Sequence, residues 1–384
     1  MTTESPPVSP PSLGQRLRHE VLDPLKHVFV GKDEIVDVLG VCLVAGENLF
    51  LLGPPGTAKT ALVHQLGIRL HGQFFEYLLT RFTEPNELFG PFDIRRLREG
   101  ELVTNTTGML PEASLVFLDE LLNANSAILN SLLTVLNERV LRRGRETIAV
   151  PALIFIGASN HLPEEDALRA LFDRFLMRAT CNNVAAERLG EVLDAGWKLD
   201  VQKQPAASTF SVDDVRQLHQ QLAAVDHNGI RTQFVELVIR LRQAGLAISD
   251  RRAVKLQKLV AASAVLCGRT AAAVSDLWVF RHIWDTEEQQ EVLAAIVSES
   301  LRQVPAAPGD HPRARRDQEP NAEELARDLE ELHTELAGKP DEKSSVQDRL
   351  SILAGRCQWV PNEMQRAALL ERVDKLWTAL GVKK

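Results

Sequence analysis

Between residues 13 and about 185, short apolar runs alternate with segments of helical periodicity. Such alternation is typical of a parallel sheet with helices packed on both faces. We therefore predict an α/β domain over residues 13–200. The runs predicted as strands are 48–52, 74–79, 115–118 and 152–158. Alternating residues on both sides of Gly144 also predict a β-hairpin before the last of these strands.

From about residue 205 the pattern becomes helical, as in "TQFVELVIRLRQAG", where a glycine ends the periodic segment. This predicts an all-helical lid over residues 201–303. Prolines and charges in "VPAAPGDHPRARRDQEP" predict a linker over 304–320. Residues 1–12, rich in proline and serine, are expected to be disordered.

A helical tail is predicted over residues 321–384. In it, four leucines recur at spacings of four, three and four. They fit either a helical hairpin or coiled coil, or a helix that packs on the lid. The four are Leu325, Leu329, Leu332 and Leu336.

Composition limits the class of protein. The chain has 384 residues, 45% hydrophobic and 25% charged, as ordinary globular proteins do, and its formal net charge is −8. That charge argues against a surface built to coat duplex DNA. No apolar stretch approaches the ~20 residues that span a bilayer, and the N-terminus lacks the pattern of a signal peptide. We expect a cytoplasmic protein without a membrane span.

The four cysteines lie far apart in sequence and suggest neither a disulfide framework nor a zinc site. We expect them to be buried small apolar residues in a reducing compartment. They are Cys42, Cys181, Cys267 and Cys357.

The octamer "GPPGTAKT", residues 53–60, stands between an apolar strand and a helical segment. A loop in this position directs backbone N–H groups and a helix N-terminus at phosphate, so a nucleotide is the expected ligand. Lys59 would reach the terminal phosphates, and the Thr60 hydroxyl would ligate Mg²⁺. Gly53 and Gly56 are the positions expected to need positive φ.

Alanine at position 58 departs from the strict pattern of such loops. It is tolerable if its backbone stays in a region allowed to L-residues, as the start of a helix would require. The nucleotide is expected to contact Gly53, Pro54, Pro55, Gly56, Thr57, Ala58, Lys59, Thr60 and Ala61.

A second apolar strand, in "SLVFLDEL", ends in an acidic pair. At the carboxyl edge of an open sheet, Asp119 would hold Mg²⁺ and Glu120 would polarise the attacking water as general base. A third strand, in "ALIFIGASN", ends in Asn160, whose amide would orient that water and sense the terminal phosphate.

These strings, with "VGKDEIV", "RFTEPNELFGPFDI", "LFDRFLMR" and "SDRR", resemble the AAA+ ATPases and, within them, the MoxR family, most closely its RavA branch. The resemblance covers roughly residues 14–285, and MoxR-type proteins tend to carry alanine before the loop lysine. It implies rings, usually hexamers, with ATP and Mg²⁺ at each subunit interface.

The resemblance also implies roles for single residues. Arg174 becomes an arginine finger that reaches a neighbouring subunit's nucleotide, although a surface salt bridge is the plainer alternative. Arg251 becomes the second sensor of the lid, with Arg252 left open. Val30 and Gly31 should lie beside the adenine. The stretch from residue 81 to Gly108 should form an insertion.

Three functions remain open. The first is an ATPase motor that remodels a client protein, together with a partner carrying a von Willebrand factor A domain. The second is a nucleic-acid-dependent motor that uses the hairpin arginines 139, 142, 143 and 145, although a solvated hairpin is favoured there because no aromatic residues interleave. The third is a nucleotide-gated scaffold whose tail recruits partners.

Overall fold

The computed structural model describes residues 11–99, 102–143, 146–201, 208–305, 307, 309–316, 325–330, 332–333, 349–350, 353–354, 357 and 363–380. The chain divides into two compact units. One comprises Met1–Val184 with Arg188–His311, and the other comprises Ala185–Glu187 with Pro312–Lys384.

A parallel sheet of five strands, in the order β2-β3-β6-β1-β7, forms the centre of the larger unit, and β4 and β5 pair as an antiparallel hairpin. The four predicted strands of the sheet are confirmed within two residues at each end. The predicted hairpin is also present. The strands are β1 (Leu49–Leu52), β2 (Phe74–Leu78), β3 (Leu115–Asp119), β4 (Val140–Arg143), β5 (Glu146–Ala149), β6 (Ile154–Ser159) and β7 (Met177–Thr180).

Helices cover the sheet and then form the lid, as predicted. Before the lid they are α1 (Leu13–Leu17), α2 (Asp23–Val28), α3 (Asp33–Ala45), α4 (Lys59–Arg69), α5 (Pro85–Phe89), α6 (Ile94–Arg98), α7 (Ser126–Glu138), α8 (Asp166–Phe172) and α9 (Leu189–Val201). The lid helices are α10 (Val212–Gln221), α11 (Arg231–Gln243), α12 (Asp250–Leu266) and α13 (Glu288–Arg302).

The lid packs on the α/β domain through α12, which lies against α3. Eleven consecutive residues of α3, 35–45, and eight of α12, 259–266, are buried, and most of their side chains are small or branched and apolar. The buried Glu47 carboxylate, just after α3, accepts a hydrogen bond of 2.7 Å from Lys255 Nζ on α12. Apolar burial and the ion pair at Glu47 therefore both contribute to joining the two domains.

Strand β7 is missing from the sequence prediction because its second residue is an arginine. Arg178 is 1% exposed, and its guanidinium lies 4.1 Å from the Phe172 ring centroid. Its Nη1 donates to the Trp284 carbonyl at 2.6 Å. A charged residue in a four-residue run hides a strand from any reading of hydrophobic pattern.

Asp285 binds two buried arginines. It lies in the short connection between a 3₁₀ helix and α13. Its carboxylate lies 2.7 Å from Arg178 Nη1 on β7 and 3.0 Å from Arg252 Nη1 on α12. Burial, followed by the nearby Arg252 charge, lowers the pKa of Arg178 to about 9. One carboxylate thus holds a strand of the α/β domain and a helix of the lid together.

The smaller unit contains two more described helices, α14 (Arg313–Arg316) and α15 (Glu363–Leu380). Thus α14 introduces a helical turn into the predicted linker. Leu325, Leu329 and Leu332 are buried in a cluster with residues of α15 such as Leu369. They therefore pack within the tail itself. Leu336 and residues 1–10 lie outside the described part of the chain.

The four cysteines are free and buried, as expected. Burial raises the pKa of the Cys267 thiol to about 11. None of the described helices combines the length and the apolarity that crossing a lipid bilayer requires.

Replacing Asp285 by alanine should destabilise the protein by roughly 3 kcal/mol, because two buried guanidiniums would lose their carboxylate. The estimate is at the low end for buried pairs since Asp285 is 31% exposed. Urea unfolding measures the change. Asp250→Ala is the matched control, because Asp250 pairs with Arg242 at 2.7 Å on the surface and should contribute at most about 1 kcal/mol. Equal losses in the two variants would contradict the structural role of Asp285.

Candidate nucleotide-binding site

The carboxyl ends of three neighbouring strands meet at one edge of the sheet. Leu52 of β1 is paired with Ser159 of β6, and Leu118 of β3 is paired with Gly157 of β6. The loop after β1, the acidic pair after β3 and Asn160 after β6 consequently stand at almost the same level. Two strand spacings separate β1 from β3, so the loop after β1 and the acidic pair after β3 are roughly 10 Å apart.

Two glycines shape the loop after β1 in different ways. Gly56 has φ +81°, as predicted, and a Cβ there would meet nothing within 4 Å. The prediction of positive φ for Gly53 is wrong. Gly53 is needed because a Cβ would overlap the Cys181 carbonyl oxygen beyond β7, while its N–H donates to the Ser159 carbonyl at 3.0 Å.

The expectation that Ala58 keeps an ordinary helical backbone is also wrong. Ala58 is the N-cap of α4 with φ 64° and ψ 23°, in the left-handed region. That conformation costs a residue with a Cβ about 1–2 kcal/mol. The strict loop pattern has glycine at this position because glycine adopts the left-handed conformation without strain. In this chain Ala58 adopts that same conformation.

Lys59 begins α4, and its side chain folds over the loop. It is 7% exposed, and Nζ donates to the Gly53 carbonyl at 2.7 Å and to the Pro54 carbonyl at 3.0 Å. The Thr57 hydroxyl donates to the same Pro54 carbonyl at 3.0 Å. The ammonium therefore lies against the concave backbone in which a phosphate group would be held. Thr60 follows on the first turn of α4.

Asp119 and Glu120 end β3 with their backbones in different conformations. Asp119 is the last strand residue, and its Oδ1 accepts from the Glu120 N–H at 3.0 Å. Glu120 has φ 50° and ψ 41°, again left-handed and again without a glycine. Strained residues of this kind concentrate at functional sites. Sequence reasoning located the pair but did not anticipate this turn.

Asn160 is exposed directly beyond β6, at the same edge. Arg174, after α8, donates from Nη1 to Asp173 Oδ2 at 3.0 Å, and its backbone carbonyl accepts from Asn48 Nδ2. Its side chain is 27% exposed. This pairing with a neighbouring residue agrees with the surface salt bridge, and the role of Arg174 at another subunit's nucleotide stays a prediction.

The two lid arginines are distinguished by their surroundings. Arg252 is 8% exposed and is held by Asp285. Arg251, one residue earlier on α12, is exposed. The guanidinium of Arg252 is thus occupied in the domain junction, which leaves Arg251 as the candidate second sensor.

Val30 and Gly31 form the turn between α2 and α3. Gly31 has φ +72°, and a Cβ on it would lie 3.3 Å from Val184 Cγ1. Val184 follows β7, so the turn lies beside the chain that leaves the carboxyl edge of the sheet. This position is compatible with the adenine contact that the resemblance implies, which stays a prediction.

The hairpin arginines are engaged within the protein. Arg139 donates to Asn48 Oδ1 at 2.8 Å and lies 4.5 Å from the Phe155 ring centroid, and burial lowers its pKa to about 10. Arg143 donates to the Gly90 carbonyl and stacks on Phe92 at 4.1 Å. The part of the predicted insertion around Gly90 and Phe92 therefore packs against the hairpin.

Arg142, which is exposed, pairs with Glu138, and Arg145 lies outside the described residues. The prediction of a wholly solvated hairpin is wrong for Arg139 and Arg143. A nucleic-acid surface would need these same side chains, but Arg139 and Arg143 already contact other residues of the protein.

Within the described residues, no group of three or more His, Cys, Asp and Glu side chains could hold a metal ion. Mg²⁺ bound with a nucleotide takes one or two carboxylates and completes its shell with phosphates and water. The oxygen donors at hand are the Thr60 hydroxyl and the Asp119 carboxylate.

The sheet order, the loop after β1 and the helical lid define the AAA+ fold. Residues 15–220 match the family described as the MoxR domain in the MoxR-vWA-beta-propeller ternary systems, and residues 213–297 match an AAA lid domain. The chain belongs to the MoxR family of AAA+ ATPases. Its predicted place in the RavA branch stays a prediction.

Single proteins with similar sequence or structure agree with this family assignment. Two uncharacterized proteins of Methanocaldococcus jannaschii are each 36% identical to this chain, over 281 residues (72% of this chain and 73% of the relative) and 273 residues (71% and 72%). The chaperone MoxR1 of Mycobacterium tuberculosis is 26% identical over 221 residues, 56% of either chain. The crystal structure of a candidate ATPase from Cytophaga hutchinsonii, 20% identical, shares the fold with a TM-score of 0.61 over 77% of this chain and 96% of its own.

Replacing Ala58 by glycine should stabilise the protein by about 1 kcal/mol, because glycine adopts the left-handed conformation without strain. Guanidinium unfolding measures the change. The control is Ala61→Gly, three residues later within α4, where glycine should instead destabilise by about 0.5–1 kcal/mol. If both substitutions destabilised the protein alike, the left-handed backbone at position 58 would be refuted.

Proposed function

We propose that this protein is a MoxR-type ATPase motor that hydrolyses ATP at the subunit interfaces of a ring and uses the change to remodel or activate a client protein. The convergence of the Lys59 loop, the acidic pair and Asn160 at one edge of the sheet carries the proposal. Open α/β sheets bind their ligands in the crevice outside the carboxyl ends of the strands, and these three polar groups stand there on three neighbouring strands.

The roles of the residues follow from their chemistry. Lys59 binds the terminal phosphates in place of its two carbonyl partners, and the N–H groups of residues 56–60 hold the remaining oxygens. Glu120 accepts the proton of the attacking water, which Asn160 orients. Thr60 and Asp119 would hold Mg²⁺, which neutralises developing phosphate charge when bound. Arg251 would approach the phosphates from the lid.

A ring completes the site if Arg174 acts on the nucleotide of the adjacent copy. An arginine supplied in this way contributes ~10³–10⁵ in rate in other phosphoryl-transfer systems. The partial exposure of Arg174, and its present pairing with the exposed Asp173, suit a side chain that exchanges one carboxylate for a phosphate. Six copies is the number expected from the family resemblance.

A partner with a von Willebrand factor A domain is part of the proposal. The description of the matched family names such a component together with a β-propeller. The identity of the client is left to experiment.

A nucleic-acid-dependent motor is the weaker candidate, since Arg139 and Arg143 are engaged by the protein itself. The nucleotide-gated scaffold shares the site but makes hydrolysis incidental. It predicts that partner binding requires ATP and is unaffected when Glu120 is changed.

Lys59→Ala should weaken ATP binding at least about tenfold, because a charge-assisted contact to phosphate is lost. Glu120→Gln should retain ATP affinity and lower kcat by ~10²–10⁴, since only the base is removed. Calorimetry and steady-state phosphate release measure the two effects.

Glu138→Gln, the same substitution on the surface of α7, is the control and should behave as the wild type. Unchanged ATP affinity in Lys59→Ala, or wild-type turnover in Glu120→Gln, would contradict the assignment of the site.

Mixing two inactive variants tests whether Arg174 acts between copies. Lys59→Ala lacks the loop cation and Arg174→Ala lacks the finger, yet in an evenly mixed ring about a quarter of the interfaces would combine an intact Lys59 with an intact neighbouring Arg174. Turnover should therefore return to about that fraction of wild type. No recovery on mixing, with rings formed, would place Arg174 outside the neighbour's site.

A further inference from the structure

Helix α9 exposes an apolar stripe to solvent. Leu189, Leu193, Trp197 and Val201 recur every fourth residue and are 54%, 65%, 72% and 62% exposed. No residue of α9 is buried. Contiguous exposed apolar surface that includes a tryptophan marks a surface for protein interaction.

The sequence of α9 also argues that it is covered in the working protein. Gly190 and Gly196 each weaken a helix by roughly 0.5–1 kcal/mol relative to alanine, and added Cβ atoms there would meet nothing within 4 Å. A 13-residue helix with two glycines is marginal on its own propensity. Its apolar residues extend around most of its circumference, as is typical of a buried helix.

A complementary apolar groove lies on the lid, between α11 and α12, with a volume of about 500 Å³. Its floor is buried, as at Phe234 and Val238, and its rim is exposed at Val235, Ile239 and Val254, which are 48%, 47% and 63% accessible. The groove is therefore an open apolar surface with the concavity that a row of helix side chains fits.

The charges beside the two surfaces are opposite. The exposed carboxylates of Asp194 and Asp200 border the stripe. The groove is bordered by the exposed Arg231 and by Arg242, whose guanidinium is already paired with Asp250 at 2.7 Å. A patch and a complementary pocket at different places on one chain generate a head-to-tail contact, which closes into a ring or continues as a filament.

We propose that the α9 stripe of one copy of this chain binds in the lid groove of the next copy. Each junction then uses one stripe and one groove, with Trp197 as the central anchor and the α9 aspartates on the side of Arg231. The inference extends the proposed function, since it supplies the repeating contact that a ring requires. It nevertheless concerns assembly and can be tested without hydrolysis.

The experiment measures the mass of the full chain by sedimentation over a range of concentrations, with and without ATP. Leu193→Asp alters the stripe and Val254→Asp alters the groove. Each should weaken assembly at least about 30-fold, as loss of a central interface contact does. The matched control is Ile94→Asp on α6, since Ile94 is 67% exposed and belongs to neither surface. Thermal unfolding verifies that all three variants are folded.

Mixing Leu193→Asp with Val254→Asp provides the sharper readout. The first variant keeps an intact groove and the second an intact stripe, so an equal mixture should form dimers and nothing larger. Formation of full assemblies by Val254→Asp alone would mean that the stripe pairs with something other than the groove. Wild-type assembly by both variants would mean that the stripe serves a different protein. Either result overturns the inference.

ATP turnover in the same samples separates this inference from the proposed function. If the wild type hydrolyses ATP as a monomer, the proposed contact between copies is wrong, whereas the ATPase activity is retained. If the protein assembles through the two surfaces but does not hydrolyse ATP, the contact between copies is supported and the proposed motor is contradicted.

Discussion

The register of the parallel sheet is the constraint on which the site depends. Strand β1 is buried between β6 and β7, and its pairing with β6 fixes where the loop carrying Lys59 begins. The pairing of β3 with β6 sets Asp119 and Glu120 at the same level. A slip of one residue in either pair would turn these side chains to the other face of the sheet. The chemistry of the site is therefore decided by apolar residues that never contact the ligand.

Local strain accompanies the site at two positions without glycine. Ala58 and Glu120 both adopt left-handed backbone conformations, at the start of α4 and at the end of β3. The surrounding sheet and helix must hold them there, since neither residue prefers that conformation. The strain lies in the two turns that would contact the phosphates and the attacking water.

Most of the sheet and the location of the loop could be predicted from the sequence, because apolar runs bounded by turn residues report buried strands directly. The left-handed turn at Ala58 could not, since alanine before a helical segment ordinarily indicates helical backbone. Strand β7 was hidden by Arg178, whose burial depends on Asp285 more than 100 residues later in the chain. The spacing of the apolar residues in α9 is visible in the sequence, but only the structure reveals that nothing in the larger unit buries them.

The shared carboxylate of Asp285 links two segments that carry candidate site residues. It joins β7 to α12, and Arg174 and Arg251 lie only a few residues from its two arginines. The segment that carries Arg174 and the start of the lid helix α12 are therefore linked through one carboxylate. In the proposed motor, a displacement of α12 would accordingly reach the Arg174 segment through a single side chain.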